Sequence, residues 1–261
     1  MIFLKNIFFD FKKRALIFIA LFVLFNTSLL SSVLPDVKSK SIWIPEEYLL
    51  DTNKVDSVID FVKVNNIDKI FFKVQSNGNA MYKSEILPNY ENIDFSNDPL
   101  EYVLKGIKNI DVELHAWINA YLLLSGGSYP EGYNHIYYSC PNCLESDING
   151  KSDKDIKLDY IQSKDWEGIF LSPIHPDVNN YILEIVDELV EKYDIDGVHL
   201  DYVRYQDNFY GYNNDGINEF INLHGIDPRD INRGIISERF GYEEEFIDSI
   251  IYKWDKFRMN K

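Results

Sequence analysis

The stretch Tyr193-Asp-Ile-Asp-Gly-Val-His-Leu-Asp-Tyr-Val-Arg-Tyr205 decides how this chain folds. From Asp196 to Val203 the side chains alternate with the period of two that a β-strand imposes. His199, Asp201 and Val203 share one face, and Val198, Leu200 and Tyr202 share the other. Immediately upstream, Val178, Tyr181, Ile182, Ile185, Val186, Leu189, Val190 and Tyr193 keep helical spacing for four turns. A helix feeding directly into a strand is the repeat of a parallel sheet covered by helices.

The same alternation runs outward towards the N-terminus. Ile42-Trp43-Ile44 is a short strand stopped by Pro45. Val55, Val58, Ile59 and Val62 predict a helix over Thr52 to Asn65. Lys69 to Gln75 predicts a second strand. Asp98-Pro99 is an N-cap followed by a proline at the first helical position, and Leu100, Val103, Leu104 and Ile107 supply that helix's apolar face. Val112 to Asn119 predicts a third strand. A turn-rich stretch, Tyr121 to Pro176, is far longer than an ordinary connection. Gly216–His224 and Glu245–Arg258 predict two more helices. No G-x-G-x-x-G or Walker loop follows any strand, which disfavours a nucleotide-binding sheet.

Polar residues gather near the C-terminal ends of the second, third and fourth strands, where parallel α/β folds carry their sites. Lys73 and Gln75 share one face of the second strand, and His115, Trp117 and Asn119 share one face of the third. With His199 and Asp201 they bring seven polar or amphipathic groups to one space. A structural core would not need so many, because each must find a partner when buried. Asp201 can serve as nucleophile or as stabiliser of an oxocarbenium-like centre. Trp117, Tyr121 and Tyr205 offer flat apolar surfaces for sugar faces, while Asn119, His115 and Arg204 can hydrogen-bond hydroxyls. Asp196, at the strand start, reads as a turn or cap.

The 261 residues carry 26 basic and 42 acidic side chains, a formal net charge of −16. A nucleic-acid partner is disfavoured, since phosphate binding needs a basic face. Lys5, Lys12, Lys13 and Arg14 precede an apolar run, Ala15 to Leu34, with the pattern of a secretory signal or, if uncleaved, a membrane anchor over residues 15–34. That order predicts an N-terminus inside, a body outside and an extracytoplasmic location, secreted or anchored. Residues 1–40 are read as this segment and residues 41–261 as the folded domain, which holds 20 basic and 40 acidic groups. Two cysteines, in Cys140-Pro-Asn-Cys143, are too few for a zinc site unless His or Asp joins them. A local loop disulfide or a minor thiol pair is expected, and no metal or cofactor is assigned.

At these residues the chain resembles the glycosyl-hydrolase-like family formerly called domain of unknown function 187. The stretches that carry the resemblance are Gly78-Asn-Ala-Met-Tyr-Lys-Ser84, Asp98-Pro-Leu100, His115-Ala-Trp-Ile-Asn-Ala-Tyr121, Leu171-Ser-Pro-Ile-His-Pro176 and, above all, Tyr193 to Tyr205. Weaker echoes are Tyr210-Gly-Tyr212, His224-Gly-Ile-Asp-Pro228 and Trp254-Asp-Lys-Phe-Arg258. The resemblance implies a TIM-type (β/α) barrel and a glycoside hydrolase of the cell envelope, some members being associated with peptidoglycan glycan strands. The family's presumed catalytic carboxylate on the fourth strand falls on Asp201. The chain departs from the family pattern at Lys73-Val74-Gln75, usually Gln-Val-Arg, and at Gly78-Asn79, usually Gly-Asp. It departs again at Asn119-Ala120-Tyr121-Leu122, usually Asn-Pro-Tyr-Arg, and at Gln206, usually proline.

Four strands predict only the N-terminal half of a barrel, about four βα units, after the apolar segment. Open edges on such a sheet invite self-association or a partner chain. A glycosidase usually needs two carboxyl groups. Besides Asp201, Glu113, read at the buried start of its strand, and Asp159, in a loop, are the alternatives. The expected function is hydrolysis of an extracytoplasmic polysaccharide, and the alternative is a truncated, inactive glycan-binding relative.

Overall fold

In the computed structural model, the described residues are 39–261 without 91–92, 94–95, 127, 157–166, 233–240 and 242. The apolar run Ala15 to Leu34 and Asp159 therefore lie outside them. Among the described residues no helix is long and apolar enough to cross a membrane.

The sheet contains β1 (Ser41–Ile44), β2 (Lys69–Lys73), β5 (Glu113–Asn119) and β8 (Gly197–Asp201), all parallel and in that spatial order. Each new strand adds on the same side of its predecessor. The winding never reverses, unlike a doubly wound sheet with its switch point. Three helices connect and cover these strands: α1 (Thr52–Asn65), α2 (Pro99–Ile107) and α4 (Val178–Lys192). Ile70, Phe72, Leu114, Ala116 and Ile118 on the sheet meet Val55, Val58, Ile59, Val62, Leu100, Val103, Ile185 and Leu189 on the helices in one buried cluster. Burying each such large side chain contributes about 1.5–3 kcal/mol.

Local chemistry sets the element ends. The Asp51 carboxylate accepts the Asn53 N–H at 2.9 Å to start α1, and Asn66 closes it in the left-handed region at φ 49°. Asp98 caps α2 through the Leu100 and Glu101 N–H groups at 2.9 and 3.2 Å, with Pro99 at the first helical position. Asp98 also accepts the Lys83 N–H at 2.9 Å and the Tyr193 hydroxyl at 2.6 Å, so one buried carboxylate ties three segments together. Asp196 bridges β5 and β8. Its carboxylate accepts the Leu114 N–H at 2.7 Å and its own N–H donates to the Leu114 carbonyl at 2.8 Å, a link between strands rather than the turn or cap expected.

Several expectations need correction. The second strand does not run to Gln75. It stops at Lys73, and Gln75–Ser76 (β3) turns back on Asn79–Ala80 (β4) through the two-residue loop Asn77-Gly78. Both loop residues have positive φ, 47° and 69°, as a type I′ hairpin requires. A Cβ on Gly78 would also lie 2.3 Å from His135 Nε2. The fourth strand ends at Asp201 rather than Val203, because Tyr202 leaves the extended region at φ 53°. Leu200, on an edge strand of the described sheet, is 43% exposed. Glu113 does begin its strand but is exposed, and it ion-pairs with Lys69.

The long excursion after β5 has structure of its own. Leu122–Leu124 (β6) pairs antiparallel with Ile169–Phe170 (β7), and Ile136–Ser139 (α3) packs with them around a second core that includes Leu144, Leu171 and Val178. Cys140 and Cys143 are joined by a disulfide in this region. A third cluster forms where Asn214–His224 (α5) and Pro228–Asn232 (α6) meet Glu244–Met259 (α7), through Phe220, Ile231 and Trp254. Lys40 to Lys261 form one compact unit.

Candidate active site

Period-two alternation turns every second side chain of the sheet away from the helices. Strand register then aligns these side chains in rows. Trp43, Phe71, His115 and Gly197 form one row; Lys73, Trp117 and His199 form the next; Asn119 and Asp201 face each other at the C-terminal end.

The first row is aromatic. Trp43 stacks on Phe71 with centroids 4.7 Å apart and planes 14° from parallel, although Trp43 remains 52% exposed. Phe71 lies 5.0 Å from both His115 and His199. Gly197 makes the row possible, because a Cβ there would come within 2.6 Å of His115 Nδ1. The Trp43 indole N–H donates to His199 Nε2 at 3.5 Å, which leaves the proton of a neutral His199 on Nδ1. His199 also meets the edge of Trp117 at 6.3 Å.

Lys73 sits 5.5 Å over the Trp117 ring, with its ammonium 3.1 Å from Glu46. Glu46 also accepts the Ser76 hydroxyl at 2.6 Å. Burial pushes the Glu46 carboxyl up, but the Ser76 hydroxyl and the Lys73 ammonium outweigh it and hold the group below the ordinary carboxylate value. Hydrogen bonds from Lys69 and His115 likewise hold Glu113 low. Both groups are therefore carboxylates at neutral pH.

At the end of the sheet, Gln75 is buried and accepts the Asn119 N–H at 3.1 Å. Asp201 accepts its neighbour's N–H, from Tyr202, at 2.8 Å, so the left-handed turn at Tyr202 orients the carboxylate. A bulky residue in that region is uncommon and strained, and such strain concentrates at functional sites. The Asp201 carbonyl accepts the Ala120 N–H at 2.7 Å, locking β8 to the end of β5. Two buried polar atoms here, Trp117 Nε1 and Asn119 Oδ1, have no hydrogen-bond partner among the described residues.

Seven of the residues singled out in the sequence thus come together: Lys73, Gln75, His115, Trp117, Asn119, His199 and Asp201. Three others are engaged elsewhere. The Tyr121 hydroxyl donates to Asn179 at 2.8 Å and its ring packs on the second core. Arg204 pairs with Glu167 at 2.6 Å and also donates to the Tyr205 and Gln206 carbonyls. Tyr205 lies under the Arg258 guanidinium, 4.5 Å from its centroid, and donates to the Arg258 carbonyl at 2.9 Å. Three residues of the face were missed: Trp43, Phe71 and Glu46. The alternation in Ile42-Trp43-Ile44 and in Lys69 to Lys73 already places both rings beside Lys73. Glu46 had no such signal, because it reaches the face from a turn.

Residues 38–230 match the family model described as glycosyl hydrolase-like 10. Glycosyl hydrolase DigH of Escherichia coli (strain K12) is 27% identical over 156 residues, which are 55% of this chain and 32% of the relative. Glycosyl hydrolase YngK of Bacillus subtilis (strain 168) is 25% identical over 161 residues, 59% of this chain and 28% of the relative. The chain thus spans about a third of the length of the curated relatives it matches. Among solved structures, the glycoside hydrolase domain of PgaB (BpsB) from Bordetella bronchiseptica aligns with a TM-score of 0.49 at 15% identity, covering 84% of this chain and 56% of that one. A hypothetical protein from Ruminiclostridium thermocellum aligns with a TM-score of 0.49 at 16% identity, covering 70% and 90%.

Proposed function

The chain belongs to the glycosyl hydrolase-like 10 family, and from that premise we propose that its aromatic and polar sheet face binds an extracytoplasmic polysaccharide such as peptidoglycan glycan strands. There it hydrolyses an O-glycosyl bond, with Asp201 as nucleophile or as the carboxylate that stabilises an oxocarbenium-like centre. The observation that carries the reading is Asp201 itself: a carboxylate at the C-terminal end of a parallel strand, oriented by a strained turn and facing Asn119. Trp43, Phe71 and Trp117 offer apolar platforms for sugar rings. Lys73, His199, Trp117 Nε1 and Asn119 Oδ1 offer hydrogen bonds to hydroxyls. The sheet is read as part of a TIM-type barrel, because its strands add in one direction with their core on one face. An extracytoplasmic location rests on the basic cluster and apolar run of the first forty residues.

A second reading, glycan binding without hydrolysis, is favoured by one observation. Glu46 and Glu113, the other carboxylates of the face among the described residues, are both held ionised by lysine and hydrogen-bond donors, so neither is a proton donor at neutral pH. Full-length protein incubated with purified peptidoglycan glycan strands separates the two. New reducing ends, reduced at least about a hundredfold by Asp201→Asn, support the hydrolase. Retention of glycan by folded protein without any new reducing end assigns the binding reading.

A further inference from the structure

Away from the sheet face, three segments distant in sequence converge on Cys140, Cys143 and His175. One sulfur from each cysteine and one ring nitrogen of the histidine all lie within 4.8 Å of one another. Cys143 and His175 are buried. Cys143 Sγ is 3.8 Å from His175 Nδ1. In a tetrahedral zinc site, sulfur and nitrogen ligands stand about 3.6 Å apart, given metal–ligand bonds of about 2.3 and 2.0 Å. The histidine and the nearer sulfur are thus already at ligand spacing. The C-x-x-C spacing is that of a zinc knuckle.

The hydrogen bonds of His175 fix its tautomer. Nδ1 accepts the Asp177 N–H at 3.2 Å, so it carries a lone pair, and Nε2 carries the proton. Nε2 lies 3.2 Å from the Asp215 carboxylate. A metal-ligating histidine characteristically donates its second ring N–H to a carboxylate, which orients the ring and raises its basicity. Here a carboxylate stands beside that second nitrogen, and Nδ1, which accepts the Asp177 N–H, also lies 3.8 Å from Cys143 Sγ.

The backbone around the cluster is pinned. The Ser172 N–H donates to the Cys143 carbonyl at 2.8 Å. Buried Asn213 donates through its amide to the Asn142 and Leu144 carbonyls at 2.6 and 2.9 Å, and accepts the Asp215 N–H at 3.0 Å. The cysteine turn, the Ser172–His175 turn and the start of α5 therefore hold one another in place.

We propose that the reduced form of this chain binds a divalent zinc-type cation through Cys140 Sγ, Cys143 Sγ and His175 Nδ1, with Asp215 as the positioning carboxylate. The disulfide and the metal are alternative states of the same two sulfurs. A phosphine reductant opens the disulfide: the phosphine is oxidised to its oxide with the oxygen of one water, and each sulfur gains one electron and one proton. Zinc then replaces the two thiol protons, which pass to solvent, and displaces the Asp177 N–H from the Nδ1 lone pair. The fourth position is left to water. In an oxidising compartment the disulfide closes the site.

The test uses the full-length protein in detergent, reduced anaerobically with a phosphine that is then removed. Cobalt(II) is the spectroscopic probe and zinc the competitor. The expected result is one cobalt per chain, with thiolate-to-metal charge-transfer bands abolished by one equivalent of zinc, and no bands in the oxidised protein. Zinc should also raise the melting temperature of the reduced protein only. Cys143→Ser should abolish the bands, and His175→Gln should weaken binding at least tenfold. Asp215→Asn should weaken it about 10–100-fold while leaving the bands in place. Reduced protein with unaltered circular dichroism but no cobalt bands would overturn the proposal. So would bands whose affinity is unchanged in both His175→Gln and Asp215→Asn.

Discussion

Replacing Glu145 by glutamine should abolish a loss of stability that the protein suffers as pH rises, by an amount the structure sets. Glu145 is fully buried. One oxygen accepts the Ser146 N–H at 2.9 Å and the Ser172 hydroxyl at 3.1 Å. The other, Oε2, makes no hydrogen bond among the described residues. Burial pushes the carboxyl up to about 7 against an ordinary 4.5, with the Ser146 and Ser172 bonds, the Arg258 charge and the nearby Gly211 N–H offsetting only part. The direction follows by linkage. Below pH 4.5 both folded and unfolded states hold the proton and there is no penalty. As pH rises towards 7 the unfolded chain ionises first, so the folded state loses stability. At about 1.4 kcal/mol per tenfold difference in proton affinity, the loss between pH 5 and pH 8 is roughly 2–3 kcal/mol. Glutamine keeps the shape and the Oε1 acceptor and never ionises; the cost of burying its amide N–H groups is the same at every pH. Urea unfolding of both proteins at pH 5, 6.5 and 8 reads the difference. Glu145→Gln should gain roughly 2–3 kcal/mol on the parent across that range, or about 4–12 °C in melting temperature. A difference that stays flat with pH would mean that Arg258 neutralises the charge, and would refute the reasoning.

Further outcomes follow from other contacts. Asp98→Ala removes a helix cap, takes the acceptor from the Lys83 N–H and leaves the Tyr193 hydroxyl only the Lys83 carbonyl at 3.5 Å; chemical denaturation should show a loss of about 2–4 kcal/mol. Trp117→Phe deletes an indole N–H that has no partner among the described residues, so unfolding free energy should fall by less than about 1.5 kcal/mol. On the proposed reading, the affinity of that variant for glycan strands should fall at least tenfold by isothermal titration; unchanged affinity would remove Trp117 from the binding face.

Sequence determined the elements whose information is local. Side-chain alternation and helical spacing reach only two to four residues, so β1, β5, α1, α2 and α4 were readable to within about two residues. The Asp98-Pro99 start was readable because a cap is made within one turn. The Asn77-Gly78 hairpin was equally local and was passed over, since the apolar pattern of Lys69 to Gln75 ran straight into it. The polar set from Lys73 to Asp201 was legible as a set because period two fixes the face of each residue once the strands are parallel neighbours.

Tertiary structure decided what depends on distant segments meeting. Strand order showed that the four described parallel strands add in one direction, which periodicity alone cannot tell. Trp43 meets His199 across 156 residues and Cys143 meets His175 across 32. The sequence alone asked only that a histidine or an aspartate join the two cysteines, and folding brought His175 to them. Tyr205 and Arg204 sit in the same motif as Asp201, yet α7 claims the first and Glu167 the second. Their neighbours in sequence fixed backbone direction as far as Asp201. Beyond the turn at Tyr202 the chain leaves the sheet, and packing of remote helices, not alternation, sets where each side chain goes.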